Sequence, residues 1–170
     1  MNQSNAFFRL LDDLGIPSNT VEHEAVYTAE NLAGRNISQW EFPVKNIFVE
    51  DKSKQLFLVT MHLATPPVDL KELAKRAGAA GRFSFATPQT LADVLGVLPG
   101  SVTPFAMFND QERRVRLVLD RRLREAKSIS AHPLANTLTT TIALSDFQKL
   151  LAHSGHDPIW CAIPIKVTAK

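Results

Sequence analysis

The sequence predicts an α/β fold of the α+β type, in one domain over residues 1–170, built on a mixed, largely antiparallel β-sheet. Strand-like segments outnumber helical ones, and hairpin-like pairs of strands are interspersed with helices, unlike the regular alternation of a doubly wound parallel sheet. The chain contains no repeat, no low-complexity segment and no linker-like stretch, so a single core is expected.

The chain begins with a predicted helix. Ser4 or Asn5 is expected to cap it, and Gly15 to end it. A short strand is predicted to follow at residues 18–24. The apolar residues of the helix recur at intervals of three and four: Phe7, Leu10, Leu11 and Leu14.

The next segments predict a small helix and then a hairpin. Thr28 is expected to cap the helix, over residues 29–35. Residues 42–51 and 55–63 are strand-like and joined by a polar turn, which is typical of a hairpin. The first strand is apolar on both faces, so it should be central in its sheet. Its apolar residues are Val44 and Phe48 on one face, and Ile47 and Val49 on the other.

The middle of the chain predicts two helices around a short strand. The first helix spans residues 69–78, with Asp69 as its cap, and the strand spans residues 82–87. The second helix spans residues 87–96, with Thr87 as its cap. Both helices end at a glycine, as many helices do.

The last third predicts more strands and a final helix. Residues 105–110 and 114–123 are interpreted as a second hairpin, and residues 137–144 have the β-branched character of a strand. A helix is predicted over residues 145–155 because of its apolar stripe. The capping box expected at its start consists of Ser145 and Gln148.

Composition excludes several classes of protein. The chain has 19 Lys and Arg against 17 Asp and Glu, a formal net charge of +2, so any attraction to nucleic acid must come from a local patch. One cysteine, Cys161, excludes an intramolecular disulfide and suits a reducing compartment. The N-terminal segment is unlike a signal peptide, and no apolar run approaches a membrane span. We expect a cytoplasmic protein that does not bind membranes, with a monomer as the default.

A short loop at residues 100–104 is the first candidate for chemistry. Gly100 permits close backbone approach or a positive φ, and Pro104 fixes the exit. The N–H groups of Gly100, Ser101 and Val102 could converge on one point, as a developing oxyanion or a phosphate requires. The alternative is a plain connector, which an isolated glycine-to-proline pattern favours.

Lys45 and Asn46 begin the strand with the most buried pattern. Alternation places Lys45 on the side of Ile47 and Val49, and Asn46 on the opposite side. A cation that points toward an apolar face needs a partner or a ligand, because burying an unpaired charge is costly. The alternative is that Lys45 extends to solvent at the end of the strand.

Three other polar groups are weaker candidates. His132 precedes a proline, with Asn136 nearby, but a lone histidine is more often structural than a base, and no triad partner is evident. His153 and His156 lack the further ligands of a zinc site, so no metal is expected. Six arginines on the predicted second hairpin could follow a phosphate backbone, although such a run is usually a solvated face. They are Arg113, Arg114, Arg116, Arg121, Arg122 and Arg124.

The order and spacing of four segments resemble one known family. The segments are VKNIFVED, GRFSFATPQTLADVLGVLPGSVTPFAMFND, VRLVLDRRL and SAHPLANTLTTTIALSDFQKLL. They resemble the bacterial trans-editing aminoacyl-tRNA deacylases, which are related to the editing domain inserted in bacterial prolyl-tRNA synthetases. Within that family, the similarity is greatest to the free-standing deacylases that remove alanine from proline tRNA. The resemblance implies a barrel-like sheet surrounded by helices.

The resemblance also implies roles for particular residues. Lys45 matches a lysine that helps to hold the 3′-terminal adenosine and its phosphate, and Asn46 matches the polar residue beside it. Residues 100–104 match a loop whose backbone contacts the aminoacyl group. Thr28 matches a threonine near the substrate side chain. The expected catalytic residues are Lys45, Gly100, Ser101 and His132, and the expected substrate-binding residues are Thr28, Asn46, Val102, Pro104 and Asn136.

The implied reaction is hydrolysis of the ester in Ala-tRNA(Pro), without a cofactor. An aminoacyl ester is already reactive, so backbone donors and positioning can suffice without a nucleophilic side chain. A synthetase cannot fully exclude a smaller amino acid, since missing methylenes are worth only about 1–3 kcal/mol, whereas a second, smaller pocket can exclude proline. The alternatives are deacylation of another small aminoacyl-tRNA, carrying Ser or Cys, and a non-catalytic regulator that binds the tRNA end. The implied partners are the 3′ aminoacyl-adenosine and acceptor stem of mischarged tRNA, with prolyl-tRNA synthetase as a further candidate.

Overall fold

The structure is a computed structural model that describes residues 3–25 and 41–167. Thr28 and the small helix predicted over residues 29–35 therefore lie outside the described residues. The α-helices described are α1 Gln3–Asp13, α2 Leu70–Arg76, α3 Pro88–Leu95 and α4 Leu144–Ser154. The strands are β1 Asn19–Glu22, β2 Val44–Glu50, β3 Leu56–His62, β4 Ser84–Phe85, β5 Val115–Asp120, β6 Ser128–Ala131, β7 Leu138–Ala143 and β8 Ile159–Cys161. Of the helices described, none has the length and apolar character needed to cross a membrane.

The strands form two sheets. Five lie in the order β4–β2–β3–β5–β8, and three in the order β1–β7–β6. β2 pairs antiparallel with β3 and β4, whereas β5 pairs parallel with β3 and β8. The smaller sheet is wholly antiparallel. A parallel bridge between Pro43 and Ser130 joins the sheets, so the predicted mixed, largely antiparallel and barrel-like arrangement is confirmed.

The five-stranded sheet is buried on both faces, as the apolar pattern of β2 predicts. Val44 and Phe48 pack in the larger core, which also contains buried residues of α1, α3, α4 and the smaller sheet. Val49 points to the opposite face and packs in a second core with Leu73 of α2. Because β2 lies between β4 and β3, its predicted central position is confirmed.

Side-chain caps fix the limits of α2 and α3 as predicted. The Asp69 carboxylate accepts a hydrogen bond from the Glu72 N–H at 3.0 Å, and Thr87 Oγ1 accepts one from the Thr90 N–H at 3.1 Å. Gly96 ends α3 with a φ of 68°. Each signal acts within one helical turn, so the local sequence is enough to predict it.

The predicted caps of α1 and α4 are wrong. Ser4 and Asn5 lie within α1, and Ser4 Oγ instead donates to the Pro133 carbonyl at 2.6 Å. β7 runs directly into α4, so Ser145 lies inside the helix. The residue before the helix provides no side-chain cap. The Leu144 N–H donates to the Lys127 carbonyl at 2.9 Å, which satisfies this end of the helix from a distant segment.

The predicted second hairpin is also wrong. Residues Pro104–Asn109 form a 3-10 helix, with Thr103 Oγ1 accepting from the Phe105 N–H at 3.2 Å. β5 finds its partners in β3 and β8, and both pairings are parallel. A short apolar run does not distinguish a strand from a buried helical turn, and here a Thr-Pro start selects the turn.

A buried polar pair connects the end of this 3-10 helix to the segment after α4. His156 Nε2 lies 2.9 Å from Asp110 Oδ2, and the two side chains are only 4% and 1% exposed. The carboxylate also accepts from the N–H groups of Arg114 and Val115, each at 2.9 Å. Burial alone would raise the pKa of Asp110, but the hydrogen bonds from His156 and the two N–H groups outweigh it, so the pKa lies below its ordinary value.

Candidate active site

The predicted site residues gather near one edge of the five-stranded sheet. Lys45 and Asn46 follow directly after Val44, the first residue of β2. Val44 lies opposite His62, the last residue of β3, and β5 ends on the same side because it runs parallel to β3. The start of β2 and the ends of β3 and β5 therefore share this edge.

Asn46 connects this edge to the predicted loop. Its Nδ2 donates to the Val102 carbonyl at 3.0 Å, and its Oδ1 accepts from Thr60 Oγ1 at 2.6 Å. Both polar atoms of the amide are engaged, which fixes its orientation. Loop 100–104 is thereby held against the face of β2 that carries Asn46.

The loop itself begins with a tight turn. Gly100 has a φ of 91°, a conformation that residues with a side chain rarely adopt. The Ser101 N–H donates to the Leu98 carbonyl at 3.0 Å within this turn, so it is not available to a ligand. In the described part of the chain, the N–H groups of Gly100 and Val102 donate to no protein atom. Ser101 is thus removed from the predicted trio of donors, and the convergence of the other two N–H groups stays a prediction.

The exit of the loop is anchored in the core. Pro104 is buried and begins the 3-10 helix, and the ring of Phe105 stacks on Phe7 of α1 with centroids 4.9 Å apart. Ser101 is also buried, at 9% exposure. The two backbone donors therefore lie on a segment whose far end is fixed by packing.

Lys45 occupies the opposite face of β2 from Asn46. Its strand partner, Met61, belongs to the smaller core, and its ammonium donates to the Thr65 carbonyl. The half-buried cation has the partner that its position requires. The structure brings the loop into direct contact with Asn46 and joins it to Lys45 through the adjacent backbone of the strand.

His132 enters the same region from the end of β6. The Pro43–Ser130 bridge is parallel, so the segments that lead to Lys45 and to His132 leave it in the same direction. His132 Nδ1 lies 2.9 Å from the Leu138 carbonyl, so this nitrogen carries the proton and Nε2 is an acceptor. Burial lowers the pKa of His132 more than this hydrogen bond raises it, which favours a neutral imidazole.

His23 lies beside His132, although it is not among the site residues that the sequence predicts. The centroids of the two rings are 6.1 Å apart, and His23 Nε2 lies 2.8 Å from Thr139 Oγ1 of β7. Positive charge on His23 would further lower the pKa of His132. The proximity depends on the pairing of β1 with β7, and no local motif signals it. Asn136, which lies between His132 and β7 in the sequence, is half-buried.

The six arginines of the predicted hairpin do not form one surface. Arg116 lies over the Phe57 ring at 5.9 Å, and Arg124 lies over the Trp160 ring at 4.7 Å. Arg122 instead pairs with the buried Asp120 at 2.6 Å, at the end of β5. Three members of the predicted basic cluster thus make separate contacts, of which the one made by Arg122 lies at the edge that carries Lys45.

This edge offers a defined set of chemical groups. Two backbone N–H groups can polarise a carbonyl oxygen, an ammonium can hold a phosphate, and a neutral imidazole can accept a proton. Among the described residues, no group of three His, Cys, Asp or Glu side chains is arranged to hold a metal ion.

Comparison with known proteins gives consistent results. Residues 23–150 match a family model described as an aminoacyl-tRNA editing domain. The chain is 31% identical over 157 residues to the prolyl-tRNA editing protein ProX of Acetoanaerobium sticklandii, which covers 92% of this chain and 94% of the relative. It is 34% identical over 151 residues to prolyl-tRNA synthetase associated domain-containing protein 1 of Danio rerio, covering 88% of this chain and 81% of that protein. A solved structure described as a candidate trans-editing enzyme for prolyl tRNA synthetase shares the fold, with a TM-score of 0.68 at 18% identity over 98% of this chain and 99% of that one.

Proposed function

Because this chain belongs to the aminoacyl-tRNA editing domain family, we propose that it hydrolyses Ala-tRNA(Pro) to alanine and free proline tRNA, acting in trans to the synthetase. The observation that carries the proposal is the hydrogen bond from Asn46 to the Val102 carbonyl, at 3.0 Å. It holds the loop with the two backbone donors beside the strand that carries Lys45. A loop for the acyl group and a cation for the nucleotide are the two parts that ester hydrolysis at a tRNA end requires.

In the proposed reaction, water adds to the ester carbonyl and the bond from the acyl carbon to the ribose oxygen breaks. The N–H groups of Gly100 and Val102 stabilise the oxyanion that forms, and Lys45 holds the terminal nucleotide. His132, neutral and with Nε2 as an acceptor, orients the attacking water. The attacking water gives up one proton as it adds, and the ribose oxygen leaves with that proton. No covalent enzyme intermediate is needed because the ester is already activated.

A panel of charged tRNAs tests this proposal. We expect the purified protein to release alanine from Ala-tRNA(Pro) and to leave Pro-tRNA(Pro) intact, because the proposed editing reaction requires an acyl site too small for proline. Ser-tRNA(Pro) and Cys-tRNA(Pro) test the preferred acyl group, and Ala-tRNA(Ala) tests the preferred tRNA. Faster release of serine or cysteine than alanine would reassign the substrate. Background release from every tRNA, with binding retained, would favour a regulator and contradict the proposal.

The role of the loop is tested by Asn46→Asp. A carboxylate at this position still accepts from Thr60, but it cannot donate to the Val102 carbonyl. The loop should lose its tie to β2, and kcat for Ala-tRNA(Pro) should fall about tenfold, in line with the loss of one buried hydrogen bond. Single-turnover deacylation measures this change directly.

Thr60→Val is the matched control for that variant. It removes the hydroxyl that donates to Asn46 Oδ1 and leaves the bond to the Val102 carbonyl in place. We expect its kcat to stay within about twofold of the wild-type value, because the cost falls on strand β3 rather than on the loop. Equal rates for Asn46→Asp and the wild type would contradict the proposal that Asn46 holds the loop in its active position.

A further inference from the structure

Thr65 connects two cations at the edge of the candidate site. The Lys45 ammonium donates to its carbonyl oxygen, and Arg122 Nη2 donates to its Oγ1 at 2.8 Å. Thr65 itself is only 4% exposed, so its position is fixed and it can orient both side chains. Two positively charged groups, one from β2 and one from the segment directly after β5, are thus brought to the same residue.

Arg122 is held rigidly, although its head is accessible. Its Nε and Nη2 both contact the Asp120 carboxylate, at 3.0 and 2.6 Å, and Asp120 is 1% exposed. The side chain of Arg122 is nevertheless 57% exposed. A guanidinium has five donors in a planar fork, so those that face solvent remain for a ligand.

Among the charged groups in contact with Thr65 or Arg122, positive charges outnumber negative ones. Burial alone would raise the pKa of Asp120, but hydrogen bonds from Arg122 and the His62 N–H hold it below its ordinary value, so Asp120 offsets one cation. Burial, with the charges of Arg122 and Lys45, lowers the pKa of His62. His62 Nδ1 accepts from the Ala64 N–H at 3.0 Å, so its neutral ring carries the proton on Nε2 and adds a donor without a charge.

We propose that Arg122, fixed by Asp120 and Thr65, is a second phosphate-binding residue beside Lys45, and that it contacts a phosphodiester of the single-stranded 3′ end of the tRNA. This inference rests on the proposed function for the identity of its ligand. A phosphodiester fits because a fixed guanidinium and an ammonium present several donors to adjacent anionic oxygens. Arg122 thereby determines how the nucleotides before the terminal adenosine are placed.

Arg122→Gln is the first test, with Arg121→Gln as its matched control. Arg121 directly precedes Arg122 in a second 3-10 helix, Arg121–Glu125, and is exposed. The probe is an acceptor-stem RNA hairpin that ends in CCA and carries no amino acid. We expect Arg122→Gln to weaken binding about tenfold and to reduce the slope of log Kd against log salt by about 0.7–1, and Arg121→Gln to change neither. Equal losses in both variants, or no loss in Arg122→Gln, would overturn the proposal.

The RNA provides a test that does not depend on folding of a variant. Replacing one phosphodiester of the CCA end by a methylphosphonate removes its charge, and at one linkage the wild-type protein should bind about tenfold more weakly. At that linkage, Arg122→Gln should cause no additional loss. Thr65→Val, which removes the Oγ1 that orients Arg122, should give a smaller loss in the same direction. Independent losses from Arg122→Gln and every methylphosphonate would contradict a direct contact.

The two proposals fail in distinguishable ways. If the wild type hydrolyses Ala-tRNA(Pro) and Arg122→Gln leaves both kcat/KM and RNA binding unchanged, the role of Arg122 is refuted and the editing function stands. If no charged tRNA is hydrolysed but RNA binding depends on Arg122 and on one linkage, the phosphate site stands and the editing function fails.

Discussion

Lys45→Met is expected to lower kcat/KM for Ala-tRNA(Pro) by about 10²-fold or more. The half-buried ammonium is the cation proposed to hold the terminal nucleotide, and removing one member of a desolvated charge pair costs about 2–5 kcal/mol. The fold should survive, because the apolar stem of methionine suits a position paired with Met61 in the smaller core. Steady-state deacylation and thermal unfolding measure the two effects separately.

The control for this variant is Lys71→Met, on the exposed side of α2. It removes the same charge from the protein at a position away from the edge of the sheet, so its kcat/KM should match that of the wild type. A loss shared by both variants would indicate a general electrostatic effect. Wild-type rates in Lys45→Met would remove the lysine from the proposed mechanism.

Asp110→Ala is expected to lower the free energy of unfolding by about 3–5 kcal/mol, the usual cost of breaking a buried polar pair. The substitution leaves His156 Nε2 and the N–H groups of Arg114 and Val115 without their acceptor. All three lie around the start of β5, whose parallel pairing builds the centre of the larger sheet. Urea unfolding at neutral pH measures the change.

Asp93→Ala is the corresponding control, since Asp93 is exposed and accepts one hydrogen bond from Gln89 of the same helix. Its free energy of unfolding should change by less than about 0.5 kcal/mol. An equally small change in Asp110→Ala would show that the buried pair does not stabilise the fold.

The pH dependence of Asp110 has a definite sign. Its folded pKa lies below the ordinary value of 3.8, so its stabilisation is complete above that value and is lost as the pH falls toward the folded pKa. Wild-type stability should therefore decrease as the pH is lowered below about 4. Asp110→Asn should show a shallower decrease over the same range.

The sequence predicts those parts of the fold whose determinants are local. The caps at Asp69 and Thr87 and the end of α3 at Gly96 each depend on neighbours within one turn. The predicted capping box at Ser145 fails because the helix begins one residue earlier, at Leu144, whose N–H donates to the Lys127 carbonyl of a segment that the local sequence does not reveal. Local signals are sufficient only when no long-range pairing shifts the start of the element.

The candidate site divides in the same way. Lys45 attracts notice because a charge at the start of an apolar strand needs an explanation, and the family resemblance supplies one. The contact of Arg122 with Thr65 depends on the parallel pairing of β3 with β5, which the predicted second hairpin excludes. His23 depends likewise on the pairing of β1 with β7. Residues that meet through long-range strand pairing have no characteristic spacing in the sequence, so their proximity cannot be predicted from it.

Helix α1 has a practical consequence for how this protein is handled. Its Ser4 hydroxyl holds the Pro133 carbonyl beside His132, and its Phe7 ring supports Phe105 at the exit of the loop. A truncated version that kept only residues 23–150 would retain the recognised family region and lose both supports. We therefore expect expression tags and deletions at the amino-terminal end to alter the geometry of the candidate site, although none of the predicted site residues lies in α1.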